Sequence, residues 1–76
     1  MPHAVVKPYA GRSEQQKAEP AARITQAVMA SMQCTDAAVS VGIEDVRPAD
    51  WAEKVYKPDI VGKPGTLFKR SRYNPL

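Results

Sequence analysis

A chain of 76 residues with a net charge of +3 and a single cysteine is one small domain, residues 1–76, without an internal disulfide. A domain this size removes only about 60–65% of its unfolded surface from water, so it builds little interior alone, and association is one usual remedy. No segment approaches the ~20 apolar residues that span a bilayer, and the first apolar run, Ala4-Val5-Val6, is cut by Lys7 before it can serve as a secretion signal.

Cys34 alone suits a reducing compartment and reads as a small buried or half-buried side chain. The expectation is a soluble, cytoplasmic protein with no membrane partner. Positive charge gathers late, at Lys63, Lys69, Arg70 and Arg72. There is no recognition helix, zinc pattern or set of interleaved aromatics, so nucleic acid is not the expected partner. A solvated tail fits, as do cations collected for a small anionic substrate.

In chain order, the first feature is Pro2 directly behind Met1. A small residue at this place lets the initiator be trimmed, and trimming would leave Pro2 with a free secondary amine. An unperturbed α-amino group titrates at about 7.7–8.0. Apolar walls or nearby cations push that value down. A neutral amine near pH 7 is an effective general base. Met-Pro also occurs in ordinary proteins, so the dipeptide alone decides nothing.

His3 to Tyr9 reads as a strand, with Pro2, Ala4, Val6 and Pro8 on one face and His3, Val5, Lys7 and Tyr9 on the other. Pro8 cannot donate to a ladder, which makes this end an edge or a bulge. His3 reads as a polar residue on a wet face, with a proton shuttle as its sharper alternative. Ala10-Gly11-Arg12 forms the turn that follows. Ser13-Glu14-Gln15-Gln16 is a capping box, and Glu14 suits the positive end of a helix dipole. Ala21, Ile24, Val28 and Met32 recur at helical spacing. The pattern predicts a helix from Glu14 to Met32, about 29 Å long, with Pro20 kinking its second turn. Met29 and Met32 read as core filler.

Val39, Val41 and Ile43 then alternate with Ser40, Gly42 and Glu44, the pattern of a half-buried strand. Strand, helix, strand at this spacing is a βαβ unit with parallel strands. The fold class is therefore α/β: a single βαβ unit of two parallel strands and one long helix, with the sheet completed by oligomerisation. A short C-terminal helix starts in Arg47–Tyr56, with Pro48 near its first turn. Pro58, Gly62, Pro64 and Gly65 predict turns beyond it, and Thr66-Leu67-Phe68 reads as an apolar patch docking on a partner subunit. The helix covers one sheet face, which leaves the other to a second copy of the chain.

Pro2, the run Gly11-Arg12-Ser13-Glu14-Gln15-Gln16-Lys17, the alternating strand and Trp51 together resemble the 4-oxalocrotonate tautomerase family. The tail from Lys57 to Leu67 is similar to the small phenylpyruvate-type members with a longer C-terminal segment. The resemblance implies an isomerase that interconverts keto and enol forms of a 2-oxo acid, without cofactor or metal. It implies Pro2 as the catalytic base, Arg12 as the grip on a substrate carboxylate and Trp51 as an aromatic wall. Ser40 stands where the best-known members carry a second arginine. Serine offers a neutral hydrogen bond, which favours a monocarboxylate with an apolar or aromatic body, such as phenylpyruvate. Lys63, Lys69 or Arg70 are candidates to replace the missing charge.

Geometry adds a constraint of its own. Pro2 to Tyr9 as extended strand covers roughly 23 Å, which an arginine side chain cannot span. Arg12 therefore serves Pro2 across a subunit boundary if it serves it at all. A two-fold homodimer gives the antiparallel approach this needs; the tail's resemblance also leans to a dimer, with a homohexamer, a trimer of dimers, as the alternative. Two other functions stay open at this point. One is a cofactor-free hydratase or dehalogenase of an unsaturated acid, with Glu53 activating water, although a glutamate on a helix surface is the plainer reading. The other is a non-enzymatic oligomeric binding module. Retention of Met1 would favour the latter, because it leaves the Pro2 nitrogen an amide.

Overall fold

The computed structural model describes residues 1–72 and 74–76. Strand β1 spans His3–Val6, helix α1 Glu14–Met32 and strand β2 Ser40–Ile43, and a π-helix runs over Ala52–Val61. Single 3-10 turns occupy Asp36–Ala38, Pro48–Asp50 and Pro64–Thr66. The strands are parallel, with His3 opposite Ser40, Ala4 opposite Val41, Val5 opposite Gly42 and Val6 opposite Ile43. This is the βαβ unit that the alternation and helix spacing predict.

β1 is shorter than the expected His3 to Tyr9, because the ladder lapses where Pro8 has no N–H to give. Pairing resumes at a parallel bridge between Tyr9 and Val46. The Val46 N–H donates to the Pro8 carbonyl and the Ala10 N–H to the Val46 carbonyl, each at 2.9 Å. His3 and Ser40 are 37 positions apart, and the bridge keeps that same offset. No residue has been inserted, so Pro8 makes a gap in an edge strand and not a bulge.

α1 begins and ends where the sequence places it. Ser13 Oγ accepts the Gln16 N–H at 3.2 Å, and Gln16 Oε1 accepts the Ser13 N–H at 2.9 Å. Each closes an amide that the helix leaves open. The far end closes on Gln33 at φ 51°, its N–H donating to the Met29 carbonyl. α1 lies over the Ala4 and Val6 face, where Val6, Pro8, Pro20 and Ile43 line the crevice between helix and sheet. Met29 is half-buried, but Met32 is 67% exposed. The expectation of core packing fails for Met32, which sits in the last turn of α1 at an open recess beside Pro2 and His3.

The C-terminal helix departs most from expectation. It continues through Pro58 to Val61 and is wound one residue wider than an α-helix, so that the Gly62 N–H reaches the Lys57 carbonyl at 2.8 Å. In an α-helix the proline ring collides with the carbonyl four residues back. The wider winding shifts that carbonyl aside, so Pro58 is accommodated and the predicted turn does not form. Gly62 closes the element because a Cβ there would stand 2.7 Å from the Pro58 carbonyl oxygen.

This helix also corrects the expectation that the second sheet face is left wholly to another copy. Val5, Lys7 and Glu44 of that face share a recess with Trp51, Val55 and Ile60. Lys7 Nζ donates to Asp59 Oδ2 at 2.5 Å, which ties the π-helix to the strand.

The interior is nevertheless thin. Among the described residues only Val55 is buried, and Val5, Met32, Val61 and Phe68 are exposed. The accessible surface is 5938 Å², whereas a compact monomer of 8.3 kDa shows about 4,600 Å². The radius of gyration is 13.8 Å, against about 11 Å for a compact chain of this length. Among the described residues no helix is long and apolar enough to cross a membrane.

Candidate active site

The candidate residues fall into two clusters, one at each end of the β1 line. Pro2, His3, Met32 and Cys34 line a recess at the N-terminal end, with Met1 fully exposed beyond it. The Ser40 N–H donates to the Pro2 carbonyl at 3.2 Å. Because His3 and Ser40 are register partners, their side chains meet on one face, with His3 Nδ1 2.7 Å from Ser40 Oγ. The Cys34 thiol lies 3.9 Å from the Val28 carbonyl, in keeping with a half-buried packing residue. While Met1 is attached the Pro2 nitrogen is an amide. Removing Met1 makes it a secondary amine at the mouth of this recess.

The other cluster holds Tyr9, Arg12 and Trp51. Gly11 turns the chain at φ +120°, a conformation that side chains with a Cβ rarely adopt. The turn folds Arg12 back so that Nη1 donates to the Tyr9 carbonyl at 2.9 Å. Tyr9 and Trp51 meet edge to face, with ring centroids 5.1 Å apart and planes at 85°. Trp51 follows the Pro48–Asp50 turn, and the Asp50 carboxylate holds that turn by pairing with Arg47 at 3.1 Å and Lys54 at 3.6 Å. The Arg47 guanidinium, foremost, keeps the Asp50 carboxyl below its ordinary range. Arg12 itself is exposed, at the edge of the crevice with Pro8 and Gln16.

Of the four residues singled out from sequence, the chain brings Pro2 and Ser40 together, and it gathers Arg12 and Trp51 around Tyr9. It does not unite the two pairs. The extended run from Pro2 to Tyr9 separates them by roughly 23 Å. Lys63 lies with the Trp51 half, lining the recess beside Lys7 and 3.8 Å from Asp59. Glu53 Oε1 accepts from Lys57 Nζ at 2.6 Å on the exposed side of the π-helix, as a surface glutamate does.

Sequence reading missed the bond between Lys7 and Asp59, which raises the Lys7 ammonium above its ordinary range. It also missed the pairing of Lys17 with Asp45, which together with Glu14 raises the Lys17 ammonium in the same way. Partners this remote leave no local pattern. Only the placement of Lys7 on the strand face opposite α1 hints that something polar must cover it.

The family description "Tautomerase enzyme" matches residues 2–55, a span that opens on Pro2 and takes in Arg12, Ser40 and Trp51. The chain belongs to the tautomerase family. This tautomerase is 42% identical over 76 residues to a probable tautomerase of Xylella fastidiosa (strain 9a5c), covering 100% of this chain and 93% of that one. It is 29% identical over 75 residues to tautomerase PptA of Escherichia coli (strain SMS-3-5 / SECEC), covering 97% and 99% of the two chains. Among solved structures it is similar to YwhB, a homologue of 4-oxalocrotonate tautomerase, with a TM-score of 0.59 and 30% identity over 62% of this chain and 77% of that chain. TomN, a 4-oxalocrotonate tautomerase homologue in the tomaymycin biosynthetic pathway, aligns with a TM-score of 0.64 and 25% identity over 86% and 97%.

Proposed function

We propose that this tautomerase interconverts the keto and enol forms of a 2-oxo acid with an apolar or aromatic body, in the manner of phenylpyruvate. The Pro2 amine, freed by loss of Met1, is the general base, and the working unit is a homodimer. The observation that carries this reading is the separation of the candidate residues into two half-sites at opposite ends of one strand. A two-fold partner laid antiparallel to β1 sets the Pro2 and Ser40 end of one chain against the Arg12 and Trp51 end of the other, and does so twice. The thin interior supports the same arrangement. The surface excess over a compact monomer is about 1,300 Å², more than the ~800 Å² that each partner buries in a standard interface.

The chemistry follows from the residues. Arg12 of one subunit binds the substrate carboxylate through paired N–H donors. Its charge and the Trp51 indole lower the pKa of the facing Pro2 amine, the one by repelling a second cation and the other by excluding water. The neutral amine takes the enol hydroxyl proton and returns it to C3, giving the keto acid. Ser40 stands by the C2 oxygen as a neutral hydrogen-bonding group. A neutral partner there suits a monocarboxylate, because the second carboxylate of a dicarboxylic substrate would find no fixed cation at this place.

The test joins intact mass to the ketonisation of phenylenolpyruvate. The expected protein lacks Met1, and Pro2→Ala slows ketonisation about 100-fold. Unchanged rates in both Pro2→Ala and an N-terminally blocked protein overturn the role of Pro2. Sedimentation of the same sample decides between dimer and hexamer.

A further inference from the structure

We infer that His3 is a positioning residue for the proposed reaction: it fixes the direction of the Ser40 hydroxyl, so that Ser40 donates to the C2 oxygen of the 2-oxo acid. The inference rests on the proposal that Pro2 is the base, and it assigns the oxygen-stabilising role that Pro2, Arg12 and Trp51 leave open.

The geometry has three parts. His3 and Ser40 are opposite one another in the parallel register, which sends both side chains to one face. Their polar atoms are 2.7 Å apart, so a full hydrogen bond joins them. Both stand next to Pro2, because His3 is its chain neighbour and lines its recess, while the Ser40 N–H is bonded to the Pro2 carbonyl. A free serine hydroxyl rotates and offers either its proton or its lone pairs. An imidazole that holds a proton on Nδ1 donates it to Ser40 Oγ. The hydroxyl proton is then directed away from His3 and is free for a third group.

That direction matters to the reaction. When Pro2 takes the C3 proton of the keto acid, negative charge grows on the C2 oxygen. A donor already aimed at that oxygen lowers the barrier, whereas a lone pair aimed at it raises the barrier. With the opposite tautomer, protonated on Nε2, Nδ1 would draw the serine proton and leave only lone pairs for the substrate. With the proton on Nδ1, the pair makes a neutral serine into an oriented donor without a permanent charge. No covalent bond is made or broken by either residue, and no proton leaves the pair.

The test uses the full-length, Met1-trimmed protein and phenylenolpyruvate, with Pro2→Ala run alongside. His3→Ala and Ser40→Ala are each expected to lower kcat about tenfold, the scale of one neutral donor, while KM moves less than about threefold. The double variant is expected to lose no more than either single one, because the two act as a unit. His3→Asn, whose amide N–H reaches nearly the same place as Nδ1–H, is expected to recover most of the rate. Additive losses, an unchanged kcat in His3→Ala, or failure of His3→Asn to recover overturns the inference. If Pro2→Ala is inactive and His3→Ala keeps the full rate, this inference alone falls. If Pro2→Ala keeps the full rate, the base assignment falls and the inference goes with it.

Discussion

The two ends of the β1 line are built on opposite plans. The Arg12 and Trp51 end is held from several sides: a glycine turn, a backbone bridge to Val46, an aromatic contact and a carboxylate that pins the turn before Trp51. At the Pro2 end the Ser40 N–H donates to the Pro2 carbonyl, His3 and Ser40 share an exposed side-chain bond, and Met32 faces solvent. A rigid end can present a fixed charge and a wall, while an open end can admit a substrate and a second chain. The contrast suits a site assembled from unlike halves, each of which lacks what the other carries.

The strongest way to break this comparison is to disable both halves on separate chains. Pro2→Ala and Arg12→Ala proteins are each expected to be nearly inactive in ketonisation. Unfolded together and refolded, an equal mixture should recover about a quarter of the normal activity, since half the dimers then carry one intact site. No recovery would mean that Pro2 and Arg12 do not meet across a subunit boundary.

Arg12→Lys tests the rigid half by itself. A point charge replaces a planar fork, and the expected loss is about 10- to 100-fold in kcat/KM, carried mostly by KM. An unchanged KM would remove Arg12 from the substrate carboxylate. Trp51→Phe keeps an aromatic wall and trims its edge. It is expected to destabilise the fold by about 1 kcal/mol through the weakened contact with Tyr9, measurable in urea unfolding, with a smaller effect on rate.

The smallest effects concern ion pairs that steady the rigid half, and their pH dependence has opposite signs. The bond to Asp59 raises the Lys7 ammonium above 10.5. Its contribution is complete below pH 10.5 and fades as pH rises through the higher folded value. Arg47 holds the Asp50 carboxyl below 3.8, so that contribution is present above pH 3.8 and fades as pH falls through the lower folded value. Lys7→Met should weaken the alkaline decline in melting temperature, leaving the share that Lys17 contributes, and leave the acid one in place.

What could be read from the sequence was what is written locally. Ser13 and Gln16 fix the start of α1 because capping is a four-residue matter. Val39, Val41 and Ile43 declare a strand because burial alternates with the backbone. The register that joins His3 to Ser40 is not written locally, because parallel orientation fixes strand direction and not which residues stand opposite. The π-helix was hidden for the opposite reason. Pro58 argues against a helix in every local rule, and only the wider winding, held over the sheet by Lys7 and Asp59, makes it tolerable. Pro2, Arg12, Ser40 and Trp51 could be singled out as candidates from residue types at a spacing that resembles the family's. Their division between two ends of the molecule had to be derived from strand length.

One consequence follows from Val55 being the only buried side chain among the described residues. In the proposed homodimer a chain with so little inside it takes apolar burial from its partner, so folding and encounter are expected to become a single equilibrium governed by mass action. Dilution alone should then loosen the protein, and its melting temperature should climb with the logarithm of concentration.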